Sequence, residues 1–128
     1  MIRMNWAVIF VEDVPATVAF YRDLLGLTPI KQGPGSTRLE TGDGTGWLSI
    51  HGLTDDEKPP WNDGVMLHFE TGELDEVCAR LEEAGVTFRQ KPRVMPWGWR
   101  HAYVYDPAGH VVSLYDPWDQ DTPDAARV

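Results

Sequence analysis

Residues 4–12 alternate along an extended chain, with Ala7, Ile9 and Val11 on one side and Trp6, Val8 and Phe10 on the other. Both sides are apolar, so the pattern predicts a strand covered on both faces. Asp13 then stands where a helix cap belongs, and Pro15 falls in the first turn, where its missing N–H costs nothing. Val18, Tyr21, Leu24 and Leu25 supply an apolar stripe for a helix over 14–25, which Gly26 closes. Three shorter segments follow near 28–32, 36–41 and 46–52, separated by GPGS and TGDGTG, turn chemistry that joins antiparallel strands. The unit reads βαβββ.

The pattern then repeats. GVMLHFETGELDEVCARLEEAGVT gives a strand, a helix over 73–84 and a closing Gly85, as NWAVIFVEDVPATVAFYRDLLGLT gives a strand, a helix and Gly26. Gly85 and Thr87 follow Gly26 and Thr28 at one common offset. Strands near 86–91, 99–106 and 110–116 complete a second βαβββ. The expected organisation is one α+β domain: a first module over 1–52, a polar, proline-containing crossover over 53–63, a second module over 64–117 and an acidic tail over 118–128. Each helix covers one sheet face, on the outside, and the opposite faces combine into a cup-shaped mixed sheet. The competing reading is an unrelated α+β sandwich with fortuitous repetition.

Strand alternation sorts side chains between these faces. Leu48 and Ile50 pack inward while Trp47, Ser49 and His51 face the cup; Leu67 and Phe69 pack inward while Met66 and His68 face it. Ala102 and Val104 pack under a helix, leaving His101, Tyr103 and Tyr105 for the cup, and Val112 and Leu114 leave Ser113 and Tyr115. In MPWGWRHAYVYDPAGHVVSLYDP, Trp97 and Trp99 continue the same ring-bearing positions. Trp97 lies in a loop flanked by Pro96 and Gly98, an unusual place for a core tryptophan. Trp6 and Phe10 belong either to the core or to the cup. His110, in the turn, is expected in solvent. Flat rings with hydroxyl and imidazole tips suit a planar, largely apolar ligand with a few polar groups.

Charge and cysteine usage narrow the class. A formal charge of −9 repels nucleic acid and anionic membrane and favours cationic partners. No apolar run reaches bilayer length, and MIRMNWAVIFVED reads as a strand rather than a signal peptide, so a cytoplasmic location is expected. Cys78 has no second thiol and sits in a helical stripe, the place of a small buried hydrophobe. The spacing points to no Ser-His-Asp or Cys-His arrangement.

Taken together, FYRDLLGL after an Asp-capped strand, LDEVCARLEEAGV in the second half and the closing YDPAGHVVSLYDP resemble the vicinal oxygen chelate superfamily, the glyoxalase, extradiol dioxygenase and bleomycin-resistance proteins. The resemblance implies paired βαβββ modules, usually in a homodimer, with a metal or ligand held in the cup. Members that do chemistry hold a divalent ion with His, Gln and Glu side chains. Carried over residue by residue, those positions fall on Trp6, seven residues before Asp13; on Ser49 in WLSIH; on Met66, three before the Phe of MLHF; and on Ser113, four after Gly109. None is a good ligand for such an ion, so no metal and no other cofactor is expected. A relocated site would draw on His51, His68 and His101 with Glu70. PWG followed by a short strand and DPAG is further similar to the antibiotic-sequestering members, where the Trp of that motif stacks on the drug. Trp97 inherits that role by resemblance, with Ser36 to Arg38 of a partner subunit closing the sandwich. Bleomycin binders also set negative charge against a cationic drug, which the net charge accommodates. The expectation is non-enzymatic sequestration of a planar aromatic natural product, conferring resistance to an antitumour antibiotic, with no catalytic residue. The alternative is a superfamily enzyme with relocated metal ligands or metal-free chemistry.

Overall fold

The computed structural model describes residues 1, 4–53, 65–96 and 98–116. The crossover beyond Leu53, the acidic tail and Trp97 lie outside the described residues. The chain divides into two compact units, Met1–Trp61 and Asn62–Val128.

In the first unit β1 (Trp6–Val11) leads into α1 (Val14–Ala19), a π-helical turn (Phe20–Leu24), and then β2 (Thr28–Gly33), β3 (Ser36–Glu40) and β4 (Trp47–Gly52). The sheet order is β1-β4-β3-β2, with β1 and β4 parallel and the other pairs antiparallel. The second unit repeats this with β5 (Leu67–Glu70), α2 (Leu74–Glu83), β6 (Phe88–Val94), β7 (Arg100–Tyr105) and β8 (Val111–Asp116), in the order β5-β8-β7-β6. Two helices and two four-stranded mixed sheets in tandem βαβββ modules are the expected α+β fold.

Local chemistry explains the boundaries. The Asp13 carboxylate accepts a hydrogen bond from the Ala16 N–H at 3.0 Å, satisfying one orphan donor of the first turn. Gly26 and Gly85 have φ of +79° and +80°, a left-handed conformation that glycine takes without a Cβ penalty. The helix expected over 14–25 is α-helical only to Ala19. Beyond it the Leu25 N–H reaches the Phe20 carbonyl at 3.2 Å, a wider turn in which adjacent Phe20 and Tyr21 are both buried and meet edge to face at 5.0 Å.

Three further expectations are corrected. β6 runs through Pro92 to Val94 instead of stopping near 91: it is an edge strand, and the proline falls in an irregularity between Gln90 and Arg93, where no ladder bond is lost. β1 is covered on one face only, since Ile9 and Val11 are buried while Trp6, Val8 and Phe10 remain 47, 41 and 40% exposed. β5 starts at Leu67, so Met66 precedes the strand and is exposed, and Leu67 and Phe69 are only half-buried.

α1 packs over β3 and β4, and α2 against β6 and β8. The core of the first module holds Val11, Val18, Phe20, Tyr21, Leu39, Leu48 and Ile50; that of the second holds Leu74, Val77, Leu81, Ala102, Val104, Val112 and Leu114. Cys78 lies in this second core, where burial pushes its thiol up to about 11, with Asp75 adding to the effect. At neutral pH such a thiol stays protonated and unreactive.

Candidate functional site

The face of each sheet turned away from its helix carries the chemistry, and the two modules use it differently. In the second module the register of β7 against β8 sets His101 opposite Tyr115 and Tyr103 opposite Ser113. Trp99, just ahead of β7, lies parallel to Tyr115, with ring centroids 4.9 Å apart and planes 5° from coincidence. Tyr115 in turn stacks on His101 at 5.4 Å and 20°. His68 meets both edge-on, at 6.0 Å from His101 and 6.3 Å from Tyr115, and Tyr103 tilts against His101 at 5.8 Å. These separations suit offset-stacked and edge-to-face pairs. Tyr105 is half-buried.

Beneath the rings, the fully buried Ser113 hydroxyl hydrogen-bonds His101 Nδ1 at 3.0 Å. The pair is not a Ser-His-Asp arrangement, and its two residues, separated in sequence, meet only across a strand pairing. Burial lowers the His101 pKa, and repulsion from His68 lowers it further; burial and Glu70 raise that of Tyr115. Both groups are therefore neutral at pH 7, the state in which a stacking surface loses least to desolvation.

In the first module the Trp6 indole N–H donates to Ser49 Oγ at 2.9 Å, and Trp6 meets Trp47 edge to face at 5.8 Å. The Arg38 guanidinium carbon lies 4.5 Å from the Trp6 ring centroid and 5.1 Å from that of Trp47. Phe10 and His51 are tilted neighbours at 5.6 Å. A recess of about 210 Å³ opens here, lined by Trp6, Lys31, Arg38, Ser49 and His51 together with Gly33, Ser36 and Thr37. Alternation along β2 does not reveal Lys31, because a register shift between Pro29 and Lys31 breaks it.

Trp97 lies outside the described residues. Met66 is exposed ahead of β5 and joins neither cluster through a ring or hydrogen bond. His110 is buried instead of solvent-exposed: its Nδ1 lies 2.9 Å from Asp106 Oδ2, and the same carboxylate accepts the Ala108 and His110 N–H groups, so this histidine holds the DPAG turn.

The four positions to which the sequence resemblance assigns a divalent ion do not fit one. An indole N–H has no lone pair to offer, and that of Trp6 is already given to Ser49. Ser113 is engaged by His101, and Met66 offers a soft thioether. Among the described residues no group of three His, Cys, Asp or Glu side chains is placed to hold a metal.

Known proteins share this architecture. A family model described as the Glyoxalase/Bleomycin resistance protein/Dioxygenase superfamily matches residues 3–114. A solved member of that superfamily from Sphaerobacter thermophilus is 26% identical, with a TM-score of 0.74 over 91% of this chain and 98% of that one. A lactoylglutathione lyase from Agrobacterium tumefaciens is 22% identical, with a TM-score of 0.72 over 89% and 92%. An integron cassette protein from V. cholerae is 25% identical, with a TM-score of 0.72 over 92% and 97%. No curated protein matches the sequence significantly.

Proposed function

The chain belongs to the glyoxalase/bleomycin resistance protein/dioxygenase superfamily, and from that premise we propose that it binds and sequesters a planar aromatic natural product, without chemistry, as a resistance protein against an antitumour-type antibiotic. The observation that carries this reading is the stacked group of Trp99, Tyr115 and His101 on one sheet face, a stack that a planar ligand would extend from its half-exposed Trp99 and Tyr115 members, His101 being buried. A planar ligand stacked against the open ring of that group gains roughly 0.5–1.5 kcal/mol for the ring pair beyond the area it buries. The unsuitable side chains at the four metal positions support binding over metal-dependent turnover. Ser113, fully buried and engaged by His101, is poorly placed to attack a ligand.

The test is fluorescence titration of the purified protein against planar polycyclic antibiotics, followed by recovery and mass analysis of the bound compound. Tight binding with the compound recovered unchanged is the expected result. A chemically altered compound would establish the enzyme reading instead, and failure of every planar compound to bind would remove the proposal.

A further inference from the structure

The recess of the first module departs from the charge of the whole molecule. The chain carries −9, yet Lys31, Arg38 and His51 line this recess and, among the described residues, no acidic side chain does. Lys31 and Arg38 are direct cross-strand partners on β2 and β3, an arrangement of like charges that destabilises a sheet unless something negative lies between them. Arg38 has no carboxylate partner among the described residues, and its Nε is buried without a hydrogen-bond acceptor. Its guanidinium lies against the indoles of Trp6 and Trp47, a setting that leaves its in-plane N–H edges for an acceptor. An unsatisfied charged donor at a recess wall costs free energy that a bound oxyanion would recover.

We infer that this recess is an anion subsite, in which Arg38 grips the carboxylate of an aromatic acid in a two-bond fork, Lys31 adds charge from across the strand pair, and the Trp6 ring receives the aromatic body. The inference concerns the first module's own recess and rests on the ring-binding proposal only for the aromatic character of the ligand. It specifies the ligand of this recess: a planar ring system bearing a carboxylate, in contrast to the cationic partner that net charge alone favours. Arg–carboxylate forks are charge-assisted and directional, so the acid should be preferred over its neutral amide.

The experiment titrates 2-naphthoate and 2-naphthamide into wild-type protein and the Arg38→Gln, Arg38→Lys, Lys31→Gln and Tyr115→Ala variants, with thermal melting of each. The wild type should bind the acid about tenfold tighter than the amide, the ratio expected for one charge-assisted pair. Arg38→Gln should bring the acid down to the amide and leave the amide unchanged. Arg38→Lys, which keeps the charge but not the fork, should fall between. Lys31→Gln should weaken the acid alone and, by relieving the like-charge pair, raise the melting temperature of the ligand-free protein. Equal affinity for acid and amide in the wild type, no binding of the acid at millimolar concentration, or a preference that survives Arg38→Gln would overturn the inference. If acid and amide bind equally and Tyr115→Ala weakens both, the ring-binding reading stands and the anion subsite falls. If the preference vanishes with Arg38→Gln while Tyr115→Ala changes nothing, the subsite stands and the role given to the second module falls.

Discussion

Tyr115 is the residue on which the second module's ring cluster turns, since it touches Trp99, His101 and His68 at once. Tyr115→Ala is expected to weaken binding of the planar ligand by roughly 1.5–4 kcal/mol, the range for losing an aromatic anchor, while Tyr115→Phe keeps the ring and most of the affinity. Fluorescence titration of the pair separates flat surface from hydroxyl. His101 gives a pH test. Its folded-state pKa lies below the ordinary value because burial, and then His68, disfavours the charged ring. The unfolded chain takes up that proton first, near pH ~6.5. Stability from this group is therefore full above that pH and falls as pH drops from there toward the lower folded-state value. Urea unfolding from pH 8 to 5 should show this decline, and His101→Gln should reduce it, leaving the part due to His68, whose pKa burial also lowers; an unchanged slope in the variant would refute the assignment. Alternation along β7 was enough to put His101 on the ring-bearing face. It could not give the bond to Ser113, which exists only because β8 pairs antiparallel at that register.

At the scale of elements, each helix ends in a glycine at positive φ with open space where a Cβ would stand. Gly26→Ala and Gly85→Ala should each cost about 1–2 kcal/mol through backbone strain alone, read as a shift in the urea midpoint. A much larger loss at either site would mean that the helix end is also packed, contrary to the empty surroundings. These stops were legible as single residues because the requirement for a left-handed backbone is local. The π-helical turn after Ala19 was not, since the wider bonding pattern accompanies burial of the adjacent Phe20 and Tyr21 together. The extent of β6 was likewise hidden: a proline argues against a central strand, and only the sheet order reveals an edge.

For the whole molecule, the side chains at the four metal positions lead to a direct expectation. Elemental analysis of purified protein should find no stoichiometric zinc, iron, nickel or manganese, and chelators should leave ligand affinity unchanged; one tightly held metal per chain would contradict this. A homodimer is also expected. β1 is an edge strand that exposes Val8 and Phe10 beyond the Trp6 wall of the recess, apolar surface of the kind a second copy covers. Sedimentation at micromolar concentration checks it, and a monomer with full ligand affinity would exclude it. No helix of the described residues is long and apolar enough to cross a membrane.

The sequence by itself determined the repeat, the helix caps and stops, and the sheet face on which each alternating side chain falls. These follow from periods of 2 and 3.6, and from glycine, proline and aspartate placed where the local backbone needs them. The tertiary structure decided what covers each face. Ser49 and Ser113 share the face of exposed or half-exposed rings, yet both are buried, because indole and imidazole partners from neighbouring strands close over them. His110 left the solvent because one carboxylate in its turn could take three donors. Lys31 and Arg38 came to face each other through a bulge that alternation cannot anticipate. Periodicity is a property of one strand, whereas burial and charge pairing are properties of two or three strands brought into register.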